Sequence, residues 1–148
     1  MQVKDIMTKD PASCTPDTNL QEVARLMVEH DCGGILVVDD RQSMKPMGIV
    51  TDRDISCRTV AAGKNPLELR AGDCMSSPCV TVTPEMSVED CCRMMEENKI
   101  RRVPVVNERG TCCGIVAQAD IARHAPEQET AGVVKEVSRA AGSGSRAR

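Results

Sequence analysis

Thr15-Pro16-Asp17-Thr18-Asn19-Leu20-Gln21-Glu22-Val23-Ala24-Arg25-Leu26-Met27-Val28-Glu29 returns 68 residues later as Thr83-Pro84-Glu85-Met86-Ser87-Val88-Glu89-Asp90-Cys91-Cys92-Arg93-Met94-Met95-Glu96-Glu97. The register extends upstream, with Asp5 on Asp73 and Met7 on Met75, and downstream, with Val37-Val38 on Val105-Val106. A connection two residues shorter in the second copy then sets Gly48-Ile49-Val50 on Gly114-Ile115-Val116 and Asp54-Ile55 on Asp120-Ile121. Self-similarity of this length means two copies of one supersecondary unit, with any binding site expected between them.

Within each copy the apolar residues Leu20, Val23, Ala24, Met27 and Val88, Cys91, Cys92, Met95 recur at intervals of three and four. That spacing predicts a helix with one buried face. Thr-Pro turns precede both helices, and Thr18 followed by Gln21 fits a capping box. Two short runs rich in β-branched residues follow in each copy, Ile35 to Val38 with Met47 to Thr51, and Val103 to Val106 with Cys112 to Val116. They read as paired strands. A further helix is expected from about Asp52 to Ala62, ending at Gly63, and from about Gln118 to His124. The unit reads β-α-β-β-α, an α/β class. Repeat 1 is expected over 1–63, a Pro- and Gly-punctuated linker over 64–72, and repeat 2 over 73–124. A C-terminal helix is expected over 125–141 and a disordered tail over 142–148.

At 148 residues the length suits one compact body. Each copy alone would bury too little surface, so joint folding is expected. The longest aliphatic runs, such as Ile35-Leu36-Val37-Val38, are too short to span a bilayer, and no secretory leader is legible, so the expected address is the cytoplasm. A net charge of −3, with no Trp, Tyr or Phe to stack on bases, excludes a general nucleic-acid binder. Nine cysteines without a secretion signal read as reduced thiols. Six of them (Cys14, Cys32, Cys74, Cys91, Cys92 and Cys113) stand where the other copy has an apolar residue, as small hydrophobes do.

Thr51 and Asp54 sit three apart where a strand turns into a helix. There, free amides, a hydroxyl and a carboxylate together suit a ribose phosphate. The same pair is equally a capping box that needs no ligand. The second copy keeps Asp120 but has Ala117 in place of the Thr, so the spacing alone leaves both readings open. Arg101 and Arg102 stand just before a strand, where the first copy has Gly33 and Gly34. The guanidinium fork suits phosphate, and any such contact would be asymmetric. Pro104 in that strand implies an edge or a place where no backbone donor is needed.

The paired pattern Gly34-Ile35-Leu36-Val37-Val38 with Gly48-Ile49-Val50-Thr51-x-x-Asp54, and Arg102-Val103-Pro104-Val105-Val106 with Gly114-Ile115-Val116-x-x-x-Asp120, resembles a tandem CBS (cystathionine β-synthase) domain pair over roughly residues 3–124. The resemblance implies two β-α-β-β-α repeats packed about a pseudo-twofold axis, with adenosine ligands (AMP, ADP, ATP or S-adenosylmethionine) in the clefts between them. It further implies frequent homodimerisation and a regulatory output on a partner protein rather than catalysis. It makes Asp54 and Asp120 ribose ligands and Thr51 their hydroxyl partner, and it places Ile35, Val103 and Pro104 at the adenine pocket. Because Leu36 replaces the Pro in copy one and Ala117 the hydroxyl in copy two, the Thr51/Asp54 cleft is the expected better site.

Two alternatives from other classes remain. A thiol or metal responder would use Cys91-Cys92, Cys112-Cys113 and His30 with Cys32, though no Cys-x-x-Cys is present. A ligand-free dimerisation adaptor would share this sequence. Catalysis is not expected, since no nucleophile and base can be paired from spacing.

Overall fold

The computed structural model describes residues 1–77, 80–124 and 127–139. The chain divides into two units that do not follow the sequence repeats: one is Met1–Asp10 with Val80–Arg148, the other Pro11–Cys79. The first ten residues therefore leave their own repeat and join the second.

In the Pro11–Cys79 unit, strand β2 (Ser13–Cys14) pairs parallel with β3 (Gly34–Val38), which pairs antiparallel with β4 (Pro46–Thr51). Helix α2 (Leu20–His30) buries Leu20 and Val23. These residues pack with Cys14, Ile35, Val37 and Val50 of the sheet and with Ala71 and Cys74 of α4 (Ala71–Cys74). The expected cap is displaced by one residue: Asn19 accepts the Glu22 amide, while the Thr18 hydroxyl accepts the Thr15 amide inside the preceding turn. The expected long helix after β4 is α3 (Asp52–Ile55) continuing as a π-turn, Ser56–Val60, in which the buried Thr59 hydroxyl donates to the Ile55 carbonyl. Bonding back to the preceding turn is a known way for a Thr to distort a helix. Gly63 takes φ 75° and ends the segment.

The other unit repeats this plan. Helix α5 (Val88–Asn98) is capped by Ser87, whose hydroxyl accepts the Asp90 amide, and it buries Val88, Cys91, Cys92 and Met95. Strand β5 (Arg102–Val106) pairs antiparallel with β6 (Cys112–Ala117), followed by α6 (Gln118–His124). Pro104 lies in β5 at the end of the strand order, as an edge residue should, and its carbonyl accepts the Val82 amide. The leading strand of this copy is reduced to an isolated parallel bridge between Val82 and Val105. Helix α7 (Glu127–Val137) lies on α5 and buries Val133 and Val137 in the same core. The expected bounds 125 and 141 of that helix, and the expected tail 142–148, lie outside the described residues.

The opening segments were not foreseen. Helix α1 (Val3–Ile6) and strand β1 (Thr8–Lys9) belong to the second repeat's unit: β1 pairs with β6, and Val3 and Ile6 enter its core. Their counterparts α4 and Ser76 lie on the first repeat, where Ser76 bridges to Ile49. Backbone bonds repeat in register, Val3 N–H to the Met86 carbonyl and Ala71 N–H to the Thr18 carbonyl, at 2.8 and 2.7 Å. Glycine is required where the segments cross. A Cβ at Gly48 would stand 2.6 Å from the Ser76 carbonyl oxygen, and one at Gly114 would stand 2.7 Å from the Met7 sulfur. No described helix is long and apolar enough to cross a membrane.

Candidate functional site

Thr51 ends β4 and caps α3. Its hydroxyl accepts the Asp54 amide at 3.0 Å while one Asp54 carboxylate oxygen accepts the Thr51 amide at 3.0 Å. The capping box is thus formed in full, and Asp54 is buried by it. The other oxygen of Asp54 faces the Ser76 hydroxyl at 3.5 Å and the Arg58 Nε at 3.8 Å.

The second copy rebuilds this arrangement with different residues. One Asp120 oxygen accepts the Ala117 amide at 2.8 Å, so half of the box survives without the Thr hydroxyl. The other accepts from the Arg123 guanidinium at 2.8 Å and the Thr8 hydroxyl at 3.2 Å. Sequence reasoning missed Thr8, Ser76, Arg58 and Arg123. Thr8 and Ser76 occupy one register position, and both carry a hydroxyl; that signal was available. The two arginines occupy different positions, four residues after Asp54 and three after Asp120, so alignment of the copies does not pair them.

Ile35 and Val103 are fully buried in their strands, and Pro104 is buried beside Val103. Arg101 and Arg102 line a cavity of about 320 Å³ together with Ala117, Gln118, Ala119 and Ala122. This places them at the start of α6, the helix that carries Asp120. Among the described residues neither guanidinium forms an ion pair or a side-chain hydrogen bond. The first copy has a cavity of about 580 Å³ lined by Met27, Val28, Asp31, Cys32, Gly33 and Asp52. Thr51 and Asp54 are not among its lining residues. The structure thus brings Thr51 to Asp54 at the start of α3 and sets Arg101 and Arg102 beside the start of α6, while Ile35, Val103 and Pro104 lie buried in their strands and, like Asp120, line neither cavity.

Most of the described thiols behave as core, while Cys57 is exposed. Burial pushes Cys14 and Cys92 up to about 11 and Cys91 up to about 12, and it also raises Cys74, Cys112 and Cys113. A thiol held protonated is a poor nucleophile and a poor metal ligand. Among the described residues no group of three or more His, Cys, Asp and Glu side chains is placed to hold a metal ion.

Two repeats, each a strand pair leading into a helix with an Asp at its third position, define a tandem regulatory module. The chain belongs to the CBS domain family, whose model matches residues 3–57 and 71–127. CBS domain-containing protein YhcV of Bacillus subtilis is 39% identical over 130 residues, 88% of this chain and 89% of that protein. Hypoxic response protein 1 of Mycobacterium tuberculosis is 35% identical over 134 residues, 90% of this chain and 92% of that protein. A crystal structure of hypoxic response protein I holds two coordinated zinc ions; it superposes with a TM-score of 0.75 at 35% identity, covering 85% of this chain and all of that one. A crystal structure of CBSX2 in complex with AMP superposes with a TM-score of 0.71 at 26% identity, covering 84% of this chain and 95% of that one. The chain spans 63% of the length of the uncharacterized protein MK0525 of Methanopyrus kandleri, at 35% identity.

Proposed function

We propose that this chain is a sensor that binds an adenosine-containing ligand, AMP, ADP, ATP or S-adenosylmethionine, and passes its occupancy to a partner protein. One observation carries the reading: a buried carboxylate at a strand-to-helix junction, Asp120, on the helix whose first turn borders a cavity lined by two guanidiniums that are unpaired among the described residues. Carboxylate oxygens accept from a ribose diol, and guanidinium forks pair with phosphate. The AMP held by CBSX2 supports the same ligand class here. Within the Asp120 unit Val103 and Pro104 are proposed as adenine contacts, and within the Pro11–Cys79 unit Thr51, Asp54 and Ile35 are proposed as the corresponding ribose and adenine contacts. We place the protein in the cytoplasm as a homodimer.

The zinc ions of hypoxic response protein I are the reason to weigh a metal responder. The described residues offer that reading no three-ligand cluster, and burial keeps most of the thiols protonated. An adaptor that binds no ligand is separated from a sensor by experiment. With no Trp, Tyr or Phe, the purified chain absorbs almost nothing near 260 nm, so a carried adenine compound stands out. A band that leaves with the small molecules on denaturation, followed by their mass spectrum, supports the sensor and identifies its ligand. A flat spectrum, together with no heat on titrating AMP, ATP or S-adenosylmethionine, removes it.

A further inference from the structure

The carboxylates at the two strand-to-helix junctions are held differently. An ionised carboxylate has about four acceptor positions, shared between its two oxygens. Asp120 has filled three of them: one oxygen accepts the Ala117 amide at 2.8 Å, and the other accepts both the Arg123 guanidinium at 2.8 Å and the Thr8 hydroxyl at 3.2 Å. Asp54 has filled one with a bond of ordinary length, from the Thr51 amide at 3.0 Å. Its second oxygen faces the Ser76 hydroxyl at 3.5 Å and the Arg58 Nε at 3.8 Å, both long for a hydrogen bond. Arg58 is turned aside, its terminal nitrogens donating to the Met75 carbonyl at 3.4 Å and the Ser76 hydroxyl at 3.5 Å. One backbone junction thus presents an open carboxylate in the first copy and a nearly saturated one in the second.

We propose that the Thr8 hydroxyl is the bond a ribose diol displaces at Asp120, so that loading the second copy unties the opening segment from α6. The inference rests on the reading above that Asp120 accepts from a ribose, and it adds what that binding must break. A diol donates two hydrogen bonds. Asp54 has positions for both, whereas Asp120 has one left, so the second hydroxyl bonds only where Arg123 or Thr8 has let go. Arg123 brings a full charge at 2.8 Å and Thr8 a neutral hydroxyl at 3.2 Å. The charge-assisted bond is the stronger, so Thr8 yields and Arg123 makes its yielding obligatory. Thr8 lies in β1, opposite Ile115 of β6, and its hydroxyl ties the opening segment to the helix that carries Asp120. The tie lowers the apparent affinity by the fraction of chains in which it is undone, and by reciprocity the ligand undoes it. Occupancy of the second copy therefore reaches β1, while Asp54 fills without a comparable change.

Titration of the isotope-labelled full chain with adenosine, followed by amide resonances, tests this copy by copy, because the Thr51 amide donates to Asp54 and the Ala117 amide to Asp120. In the unaltered chain Thr51 is expected to respond at lower adenosine than Ala117, and the Lys9 amide of β1 to move together with Ala117. Thr8 and Arg123 both lie at the surface, so their replacement leaves the core intact. Thr8→Ala removes the bond to be displaced: the affinity read at Ala117 rises about two- to tenfold, the worth of one ordinary hydrogen bond, and Lys9 falls silent. Arg123→Met vacates a position instead, so Ala117 again reports tighter binding while Thr8 keeps its bond and Lys9 is still. 2′-Deoxyadenosine, with one hydroxyl at that edge, moves Ala117 without Lys9 in all three chains. A Lys9 amide that ignores adenosine while Ala117 titrates in the unaltered chain, or that still follows Ala117 in both variants, overturns the tie and leaves the sensor reading intact. If neither Thr51 nor Ala117 responds to adenosine, AMP, ATP or S-adenosylmethionine in any of the three chains, the sensor reading falls and the tie with it.

Discussion

Asp120 satisfies three partners with two oxygens, and each partner comes from a different part of the chain: the end of β6, the last turn of α6 and the N-terminal segment. Asp54 does the same with a longer hydroxyl contact, 3.5 Å to Ser76 against 3.2 Å from Thr8. Distance predicts the energetic difference. Thr8→Val is expected to lower stability by about 0.5 to 1.5 kcal/mol, the net worth of an ordinary hydrogen bond, and Ser76→Ala by less. Urea titration followed by far-ultraviolet circular dichroism measures both, and an equal or inverted ranking contradicts the geometry. At Gly114 the obstruction is steric. Gly114→Ala drives a methyl toward the Met7 sulfur and the Thr8 carbonyl oxygen, 2.7 and 3.0 Å from the added carbon, and is expected to cost about 1 to 3 kcal/mol, as overpacking does.

At the scale of the element, the repeated apolar spacing read α2 and α5 correctly but not equally well. Cys92 is buried as expected, whereas Ala24 at the same position is exposed, because α7 lies on α5 and brings Val133 and Val137 into that core. Periodicity reports the face a helix offers, not what arrives to cover it. Helix starts were legible to within one residue. Asn19 rather than Thr18 carries the cap, since Thr18 is used in the turn before it. Asn19→Ala and Ser87→Ala are each expected to cost about 1 kcal/mol, readable by the same denaturation assay.

The connection after β3 adds a pH dependence of its own. One Asp39 oxygen accepts from the Ser43 hydroxyl and from the amides of Asp40 and Lys45; the Ser43 and Lys45 bonds hold its carboxyl below the usual range. The folded value is depressed, so the loop's order is present above the ordinary carboxylate pKa and is lost as pH falls through the lowered one. Amide chemical shifts of Asp40 to Lys45 should therefore hold steady through mild acid and move only below it. Movement centred at or above the ordinary carboxylate pKa would show the bonds absent in solution.

For the whole molecule the alkaline limb carries the prediction. Cys14, Cys91 and Cys92 are raised from 9.0 to about 11, 12 and 11 by burial. A raised folded value contributes stability in full below 9.0, and that contribution disappears as pH climbs through 11 to 12. The urea midpoint should hold up to about pH 9 and fall steeply beyond it, and alkylation of these three thiols should be slow in native protein and fast in urea. Rapid native alkylation of Cys91 would contradict its burial.

The repeat unit, its strand pairs and the Asp positions were visible in the residues because register and spacing are local properties. The destination of the opening segments was not. Val3 and Ile6 align with Ala71 and Cys74 and are apolar in both copies, but an apolar residue does not say which repeat will bury it. Deleting residues 1–10 should therefore loosen the second repeat and not the first. Hydrogen exchange is expected to quicken in α5 and β6 while α2 and β3 keep their protection.

That crossing sets an order in time. Pro11–Cys79 is an insertion within the other unit, whose two parts flank it in the chain. As the chain leaves the ribosome, the inserted unit can close as soon as Cys79 is clear. Met1–Asp10, synthesised before it, must wait for β6 on the other side of the insertion, with Val3, Ile6 and Met7 uncovered in the interval. Residues made before the inserted unit find their place only after it.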